Sequence, residues 1–178
     1  MRLAPLLLAV TLAACQSDGP ATETPEAPIE VQPPTTPLEE PAADSERYTN
    51  ERFGYALRLA PSLEPVGAAP QNDDGRTFAT PDGTVRLTVF GYNDALDAGL
   101  DGVFERAREG IEQVAYRGTP PGGVAVSGTA GDSTLYGYGL YRDGVGVVAR
   151  VRYLSGDADG AALADRIAQT LRWTDAAP

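Results

Sequence analysis

Residues 134–153 read TLYGYGLYRDGVGVVARVRY, and this stretch decides the fold. Two runs with a period-two pattern flank Asp143-Gly144, a dipeptide that suits the positive φ angles of a type I′ turn. Because side chains point alternately to the two faces of a strand, each run predicts a strand with one buried face. The stretch therefore predicts a long antiparallel β-hairpin.

The two faces of this hairpin carry different residues. One face is expected to belong to the core: Tyr136, Tyr138, Leu140, Val147, Ala149, Val151 and Tyr153. The opposite face presents Tyr141, Arg150 and Arg152, and Tyr and Arg are enriched in the hot spots of protein interfaces. We therefore regard these three residues as a candidate partner surface. The alternative is an outer face that is solvated or covered by a helix.

Shorter strands are predicted on the N-terminal side of the hairpin. Alternation over residues 53–59 predicts a strand that follows a turn at residues 48–52. Residues 76–80 and 84–92 predict a second hairpin around the turn formed by residues 81–83, where Pro, Asp and Gly stand in sequence. Two further short strands are predicted at residues 114–117 and 124–128.

Two amphipathic helices complete the expected domain. The first has an apolar face formed by Leu100, Val103, Phe104, Ala107 and Ile111, with Asp101 as its N-cap. The second has an apolar stripe of Leu163, Ala164, Ile167, Ala168 and Leu171, with Asp157 or Asp159 as its cap and Trp173 as a core residue beyond it. The pattern predicts an α+β domain, in which two helices pack on an antiparallel sheet of about six strands.

This order of elements resembles the PsbP-like α/β/α sandwich. The resemblance rests on a first strand that reads Phe53-Gly54-Tyr55-Ala56-Leu57, on the following hairpin, helix and meander, and on a closing helix that ends in Leu171-Arg172-Trp173. It covers residues 48–173 and implies an accessory or assembly role, without catalysis. It carries no catalytic motif, so it supports the fold more than the function.

The first fifteen residues carry an export pattern. Arg2 precedes an apolar run that is too short to span a bilayer, as is typical of a signal peptide. Leu12-Ala13-Ala14-Cys15 resembles the bacterial lipobox, whose cysteine is acylated, for example with palmitate, and becomes the mature N-terminus. Since Gln16 and not Asp follows, the resemblance implies that, if the cell is Gram-negative, the protein is sorted to the outer membrane and faces the periplasm. The alternative is a plain signal peptide with a chance cysteine.

The chain divides into three regions. Residues 1–14 form the predicted lipoprotein signal peptide, and residues 47–175 form the single folded domain. Residues 15–46 comprise the lipidated cysteine and a segment rich in Pro, Glu and Thr that lacks aromatic residues. Such a composition cannot bury enough apolar surface to offset the entropy of ordering, which predicts a disordered tether. Val31-Gln32-Pro33-Pro34 within it is an alternative candidate for a partner motif.

Charge limits the partners of this chain. The formal net charge is -11, with 25 acidic residues, 14 Arg and no Lys or His. Eight acids and no base fall in residues 16–46, while residues 47–178 hold 17 acids and 13 Arg. A nucleic-acid-binding surface needs a basic stripe that neutralises phosphates, and none is visible. We therefore expect a lipid bilayer, held through acylated Cys15, and an envelope protein or a cell-wall component as partners, and no nucleic acid.

Composition also restricts the available chemistry. Without His and Lys, the chain cannot form Ser-His-Asp triads, Ser-Lys dyads or Schiff bases. Two carboxylate chemistries survive: hydrolysis of an envelope glycan by an acid pair, and a Ca²⁺ site, for which the weak candidates are Asp73, Asp74, Asp157 and Asp159. The simpler interpretation of these four residues is turn formation and helix capping.

These observations rank two functions. The first is a noncatalytic, membrane-anchored envelope lipoprotein whose domain binds a protein or a cell-wall partner, with no cofactor and no catalytic residue. The alternative is a carboxylate-dependent glycan hydrolase. Two domain acids about 5–9 Å apart in one cleft would favour the hydrolase.

Overall fold

The computed structural model describes residues 46–174. Its ten strands are β1 (Arg47–Asn50), β2 (Tyr55–Arg58), β3 (Glu64–Pro65), β4 (Gly75–Ala79), β5 (Arg86–Asn93), β6 (Gln113–Gly118), β7 (Gly123–Ala130), β8 (Ser133–Arg142), β9 (Val145–Leu154) and β10 (Arg172–Trp173). The two helices are α1 (Gly99–Ala107) and α2 (Ala158–Thr170). These elements confirm the predicted α+β class.

The predicted central hairpin is present as β8 and β9. Asp143 and Gly144 join the two strands with φ angles of 51° and 78°, as a type I′ turn requires. The hairpin lies inside a seven-stranded antiparallel sheet with the order β3-β4-β5-β9-β8-β7-β6. A second, three-stranded sheet has the order β1-β2-β10.

Each face of the seven-stranded sheet supports its own apolar cluster. On one face, α1 packs against β7, β8 and β9, and Val103 and Ala107 meet Val126 and Val148. On the other face, α2 packs against β9 and β2. Its cluster includes Leu163 and Ile167 from the helix and residues of both sheets: Tyr55, Leu57, Leu87, Val89, Val147, Ala149 and Val151. The sheet therefore lies between two helical layers, and α1 covers part of the outer face of β8 and β9, which is the alternative considered for that face.

Glycine allows α1 to approach the sheet closely. Gly137 and Gly139 of β8 lie directly beneath the helix. A methyl group at Gly137 would overlap the backbone carbonyl of Ala107, and one at Gly139 would overlap the side chain of Val103. The helix thus rests on the backbone of β8, which leaves no space for a side chain between them.

The N-terminal part of the domain differs from the prediction. Residues 47–50 form the edge strand β1, where a turn is predicted over residues 48–52, and the turn lies at residues 51–54. The polar sequence of β1 shows no apolar alternation that would predict a strand, because an edge strand needs little apolar burial. Its last residue, Asn50, is buried; its side-chain oxygen accepts the backbone N–H of Phe53 at 2.9 Å. The strand count is also higher than about six, because short edge strands carry weak patterns.

Two predicted roles in the helices need correction. Asp101 is not the N-cap of α1, which begins at Gly99; instead Asp94 Oδ2 accepts the Gly99 N–H at 2.7 Å. That hydrogen bond lowers the pKa of Asp94. The helix ends at Ala107, four residues before Ile111, which is nevertheless buried. Asp157 does cap α2, since its carboxylate accepts the Asp159 N–H at 3.0 Å.

Trp173 is half-buried at the rim of the core rather than enclosed by it. It lies on β10, an edge strand of the small sheet. The Arg142 guanidinium covers part of the ring, 4.6 Å from its centroid. The prediction of a core residue is therefore only partly right.

Candidate functional site

The α1 layer covers only part of its sheet face. Beyond the C-terminal end of the helix, neighbouring strands β5 and β9 present arginines on this face. Arg86 of β5 lies directly opposite Arg152 of β9, and Thr88 lies opposite Arg150. Both Arg86 and Arg152 are exposed, whereas Arg150 is half-buried. We call the pair Arg86 and Arg152 the arginine pair.

The arginine pair lines an open cleft of about 420 Å³ at the end of the sheet. The other lining residues are Asp82, Gly83, Thr84, Ser133 and Leu154. The turn between β4 and β5 forms one side, and the first residue of β8 and the last of β9 form the other. Leu154, which is 47% exposed, contributes an apolar surface beside the two guanidinium groups.

The arginine pair differs from its neighbour in its electrostatic partners. Arg150 Nη1 lies 2.6 Å from Glu109 Oε2, so its charge is compensated. Within residues 46–174, neither Arg86 nor Arg152 forms an ion pair within 4 Å, a side-chain hydrogen bond or a cation–π contact. Like charges at directly opposed positions of a sheet are destabilising. The fold therefore maintains an unfavourable pair of cations beside an open cleft.

Asp82 lies in the same cleft, but its carboxylate serves the turn. Asp82 Oδ1 accepts hydrogen bonds from Thr80 Oγ1 at 2.6 Å, from Thr84 Oγ1 at 2.9 Å and from the Thr84 N–H at 3.1 Å. The Thr80 hydroxyl and the two Thr84 groups lower the pKa of Asp82. Three donors thus satisfy one carboxylate oxygen locally, and the residue remains ionised at neutral pH.

The structure separates the three residues of the predicted partner surface. Tyr141, Arg150 and Arg152 share a sheet face, as the alternation indicates. However, Tyr141 lies opposite Gly146 near the start of β9 and packs against the α1 cluster. Arg150 is engaged by Glu109, and only Arg152 lines the cleft. That the three act together in binding a partner stays a prediction.

The amino-acid sequence alone does not single out Arg86 as a site residue. Its position on the outer face of the strand at residues 84–92 follows from the alternation of that strand. Its neighbour, however, depends on the pairing of β5 with β9, which are separated by more than fifty residues. Hairpin signals in a sequence are local and do not reveal such a pairing. The signal that the sequence does offer is an arginine on the predicted outer face of each of the two strands, Arg86 and Arg152.

The four weak Ca²⁺ candidates occupy two turns. The Asp73 carbonyl accepts Asn50 Nδ2 at 2.9 Å, and Asp74 Oδ2 accepts Asn72 Nδ2 at 2.7 Å. Asp157 caps α2, and Asp159 lies in the first turn of that helix. Across residues 46–174, no three or more His, Cys, Asp or Glu side chains converge as metal ligands. The hydrogen bonds of Asp73 and Asp74 belong to a turn and that of Asp157 to a helix cap.

A second cleft, of about 730 Å³, lies between α2 and the turn that joins β4 and β5. Asp82, Asp157 and Asp159 all line it, together with Arg166. It is thus the place where an acid pair for glycan hydrolysis would be sought. Two of its three acids already have structural partners, Asp82 in its turn and Asp157 at its helix.

Cys15 lies outside the described residues, so the structure does not test its modification. Among residues 46–174, neither helix has the length and apolar character to cross a bilayer.

Comparison with known proteins identifies the fold. No family model matches the chain, and no curated protein matches it significantly. The solution structure of cyanobacterial PsbP (CyanoP) from Synechocystis sp. PCC 6803 superposes with a TM-score of 0.52 at 15% identity, covering 76% of this chain and 95% of that one. A crystal structure of a protein from Bacteroides thetaiotaomicron matches with a TM-score of 0.49 at 10% identity, covering 74% of this chain and 49% of that one. The chain spans about half of that second protein.

The likeness to CyanoP confirms the predicted PsbP-like fold. At 15% identity the likeness concerns the fold alone.

Proposed function

We propose that this chain is a membrane-anchored envelope lipoprotein whose PsbP-like domain binds a partner without catalysing a reaction. The observation that supports binding most directly is the arginine pair, two adjacent guanidinium groups that face an open cleft. An envelope protein or a cell-wall component is the partner we expect. The lipobox at residues 12–15 supports the anchor, and the proline-rich segment after it supports a tether. Gln16 supports an outer-membrane location facing the periplasm.

The anchor is tested by substituting its acceptor. We expect Cys15→Ser to move the full chain from the detergent phase to the aqueous phase in a detergent phase-separation experiment, and to abolish labelling by palmitate. The reason is that Cys15 is the only cysteine of the chain, so its loss removes the residue that would carry the lipid, and stable attachment needs acyl chains that bury many methylene groups. Partition is measured by immunoblotting both phases.

Ser17→Ala is the matched control, because it removes a hydroxyl close to the same position and leaves the thiol in place. It should partition as the parent does. Unchanged detergent partition of Cys15→Ser, or a mature N-terminus with a bare thiol in the mass spectrum, would refute the anchor.

A carboxylate-dependent glycan hydrolase is the second candidate function, because three acids line the larger cleft. The hydrogen bonds of two of these acids argue against that function. A glycosidase general acid needs a raised pKa so that it carries a proton at neutral pH. The hydroxyl groups of Thr80 and Thr84 lower the pKa of Asp82 instead. The Asp157 carboxylate accepts a backbone N–H at the N-terminus of α2. Asp82 therefore does not suit the role of the general acid, and the Asp157 carboxylate is engaged in capping the helix.

Incubation of the full chain with isolated envelope glycan tests the two functions against each other. We expect reducing ends to appear no faster than in a sample without protein. A release that disappears in Asp82→Asn or Asp157→Asn, and persists in the matched surface variant Asp73→Asn, would establish the hydrolase and reject the noncatalytic proposal.

A further inference from the structure

We propose that the arginine pair, Arg86 and Arg152, forms a binding site for the phosphate group of a phosphate ester. This inference specifies the ligand of the binding domain and rests on the proposed function. It starts from the pairing of β5 with β9, which places the two residues at directly opposed positions. Opposed residues of antiparallel strands have Cα atoms only about 4.5–5.5 Å apart. Two guanidinium groups therefore emerge side by side into one cleft.

The guanidinium donors of this cleft have no hydrogen-bond partner within residues 46–174. Each guanidinium carries five N–H donors and no hydrogen-bond acceptor. Within the described part of the chain, no carboxylate lies within 4 Å of either group, whereas Arg108 and Arg150 each have one. The lining hydroxyls are already used, since Thr84 Oγ1 donates to Asp82 at 2.9 Å and Ser133 Oγ donates to Asp132 at 3.2 Å. The guanidinium groups are therefore the donors that a ligand would meet.

The number of donors favours phosphate over a single carboxylate. Each guanidinium presents a fork that binds two oxygens of an anion. A carboxylate has two oxygens, which one fork engages completely. A phosphate group has more oxygens in a tetrahedral arrangement, so it can accept a fork from each arginine at once. Such a ligand would also neutralise the repulsion between the two cations.

The surroundings limit the size of the anion. Asp82 lines the cleft and Asp132 lies beside Ser133, so the basic surface is confined to the two arginines. A nucleic acid needs a longer basic stripe. The exposed side chain of Leu154 offers an apolar contact for the organic part of an ester. A cleft of about 420 Å³ has room for a phosphate group with a small substituent.

Titration with inorganic phosphate tests the site in the lipidated full chain, held in neutral detergent micelles. The readout is the NMR signal of each arginine side-chain Nε–Hε group. We expect the signals of Arg86 and Arg152 to shift together and to saturate. Arg86→Gln and Arg152→Gln should each weaken the binding at least about tenfold, because each removes a charge-assisted fork. Arg152→Lys should fall between them and the parent, since it retains the charge and loses the fork.

Arg47→Gln is the matched control, since Arg47 is exposed and lies on β1 of the other sheet. It removes the same charge elsewhere, and its affinity should stay within about twofold of the parent. Binding that does not saturate, an equal loss in Arg47→Gln, or binding retained in the double variant Arg86→Gln/Arg152→Gln would each overturn the proposal.

A thermal measurement verifies that the variants remain folded. Arg152→Gln removes an opposed like charge, so its midpoint without phosphate should not fall below that of the parent. At phosphate about ten times the dissociation constant of the parent, the midpoint of the parent should rise by about 3–5 °C and that of Arg152→Gln by no more than about 1–2 °C. An equal rise in both proteins would contradict the site.

The source of the phosphate is resolved by a second arm. Micelles doped with phosphatidylglycerol are compared with undoped micelles during the same titration. Competition by the phospholipid at the arginine pair would assign the site to a lipid headgroup. Binding of inorganic phosphate without such competition would assign it to a soluble phosphate ester. Detergent partition through Cys15 is measured on the same samples, so failure of this site and failure of the anchor are distinguished.

Discussion

Tyr55→Ala is expected to destabilise the domain by about 3–5 kcal/mol, the range for truncating a fully buried aromatic side chain. Tyr55 is completely buried in β2, within the cluster that joins the small sheet, α2 and the large sheet. Its ring centroid lies 6.2 Å from that of Tyr48. Removal of the ring would leave a cavity at the junction of three elements. The free energy of unfolding, measured with a chemical denaturant, checks this loss.

Tyr55→Phe is the matched control, because it retains the ring and removes only the hydroxyl. That hydroxyl donates to the Asp74 carbonyl at 3.4 Å, a long hydrogen bond, so we expect a loss of about 1 kcal/mol or less. If Tyr55→Ala were no more destabilising than Tyr55→Phe, the ring would not be a core element.

Tyr55 also makes stability depend on alkaline pH. Burial raises the pKa of its phenol well above the ordinary 10.0. Below about pH 10, the Tyr55 phenol is protonated in both the native and the unfolded state, so it makes stability no more and no less dependent on pH. Above it, the unfolded chain loses the proton while the native state retains it, so stability falls as pH rises, by up to about 1.4 kcal/mol per pH unit. Tyr55→Phe should show a shallower decline above pH 10 than the parent.

Gly137→Ala is expected to destabilise the domain by roughly 2–3 kcal/mol, through overpacking. The new methyl group would overlap the Ala107 carbonyl, which is a rigid backbone group near the end of α1. The helix would have to move away from β8 and expose Val103 and Val148, both fully buried. Thermal unfolding and the near-ultraviolet circular dichroism of the domain would report the change.

Two further variants make this prediction specific. Thr129→Ala changes an exposed residue of the neighbouring strand β7 and should alter stability by less than about 0.5 kcal/mol. Ala107→Gly should not rescue Gly137→Ala, because the overlap is with a backbone oxygen that glycine also carries. Rescue by Ala107→Gly would show that α1 rests on side chains instead.

Local sequence signals predict local structure well in this chain. The hairpin of β8 and β9 and the cap of α2 at Asp157 are confirmed, because each depends on neighbouring residues and on a recognisable turn or cap. The strand β1 escapes prediction because an edge strand can be polar. The prediction of Asp101 as the N-cap of α1 is wrong because the helix begins two residues earlier, at Gly99, whose N–H is accepted by Asp94 from the loop before the helix.

The candidate site was predictable only in part. Arg152 emerges from the alternation of the hairpin, and Tyr and Arg content directs attention to its outer face. Its partner Arg86 depends on which strand neighbours β9, and that choice is made by packing across the sheet rather than by adjacent residues. The same limit applies to how much of this sheet face α1 covers. The sequence pattern predicts α1, but not that the helix stops short of the arginines.

The strand β2 lies between the first strand and the last strand of the described domain. Thr49 and Asn50 pair with its one edge, and Arg172 and Trp173 with the other. Arg172 and Trp173 leave the ribosome after all the other strands and helices of the domain, so this small sheet cannot close before the chain has been synthesised past them. Closure of the small sheet therefore follows the synthesis of every other element of the domain. A product truncated before Arg172 would expose an open strand edge and invite aggregation.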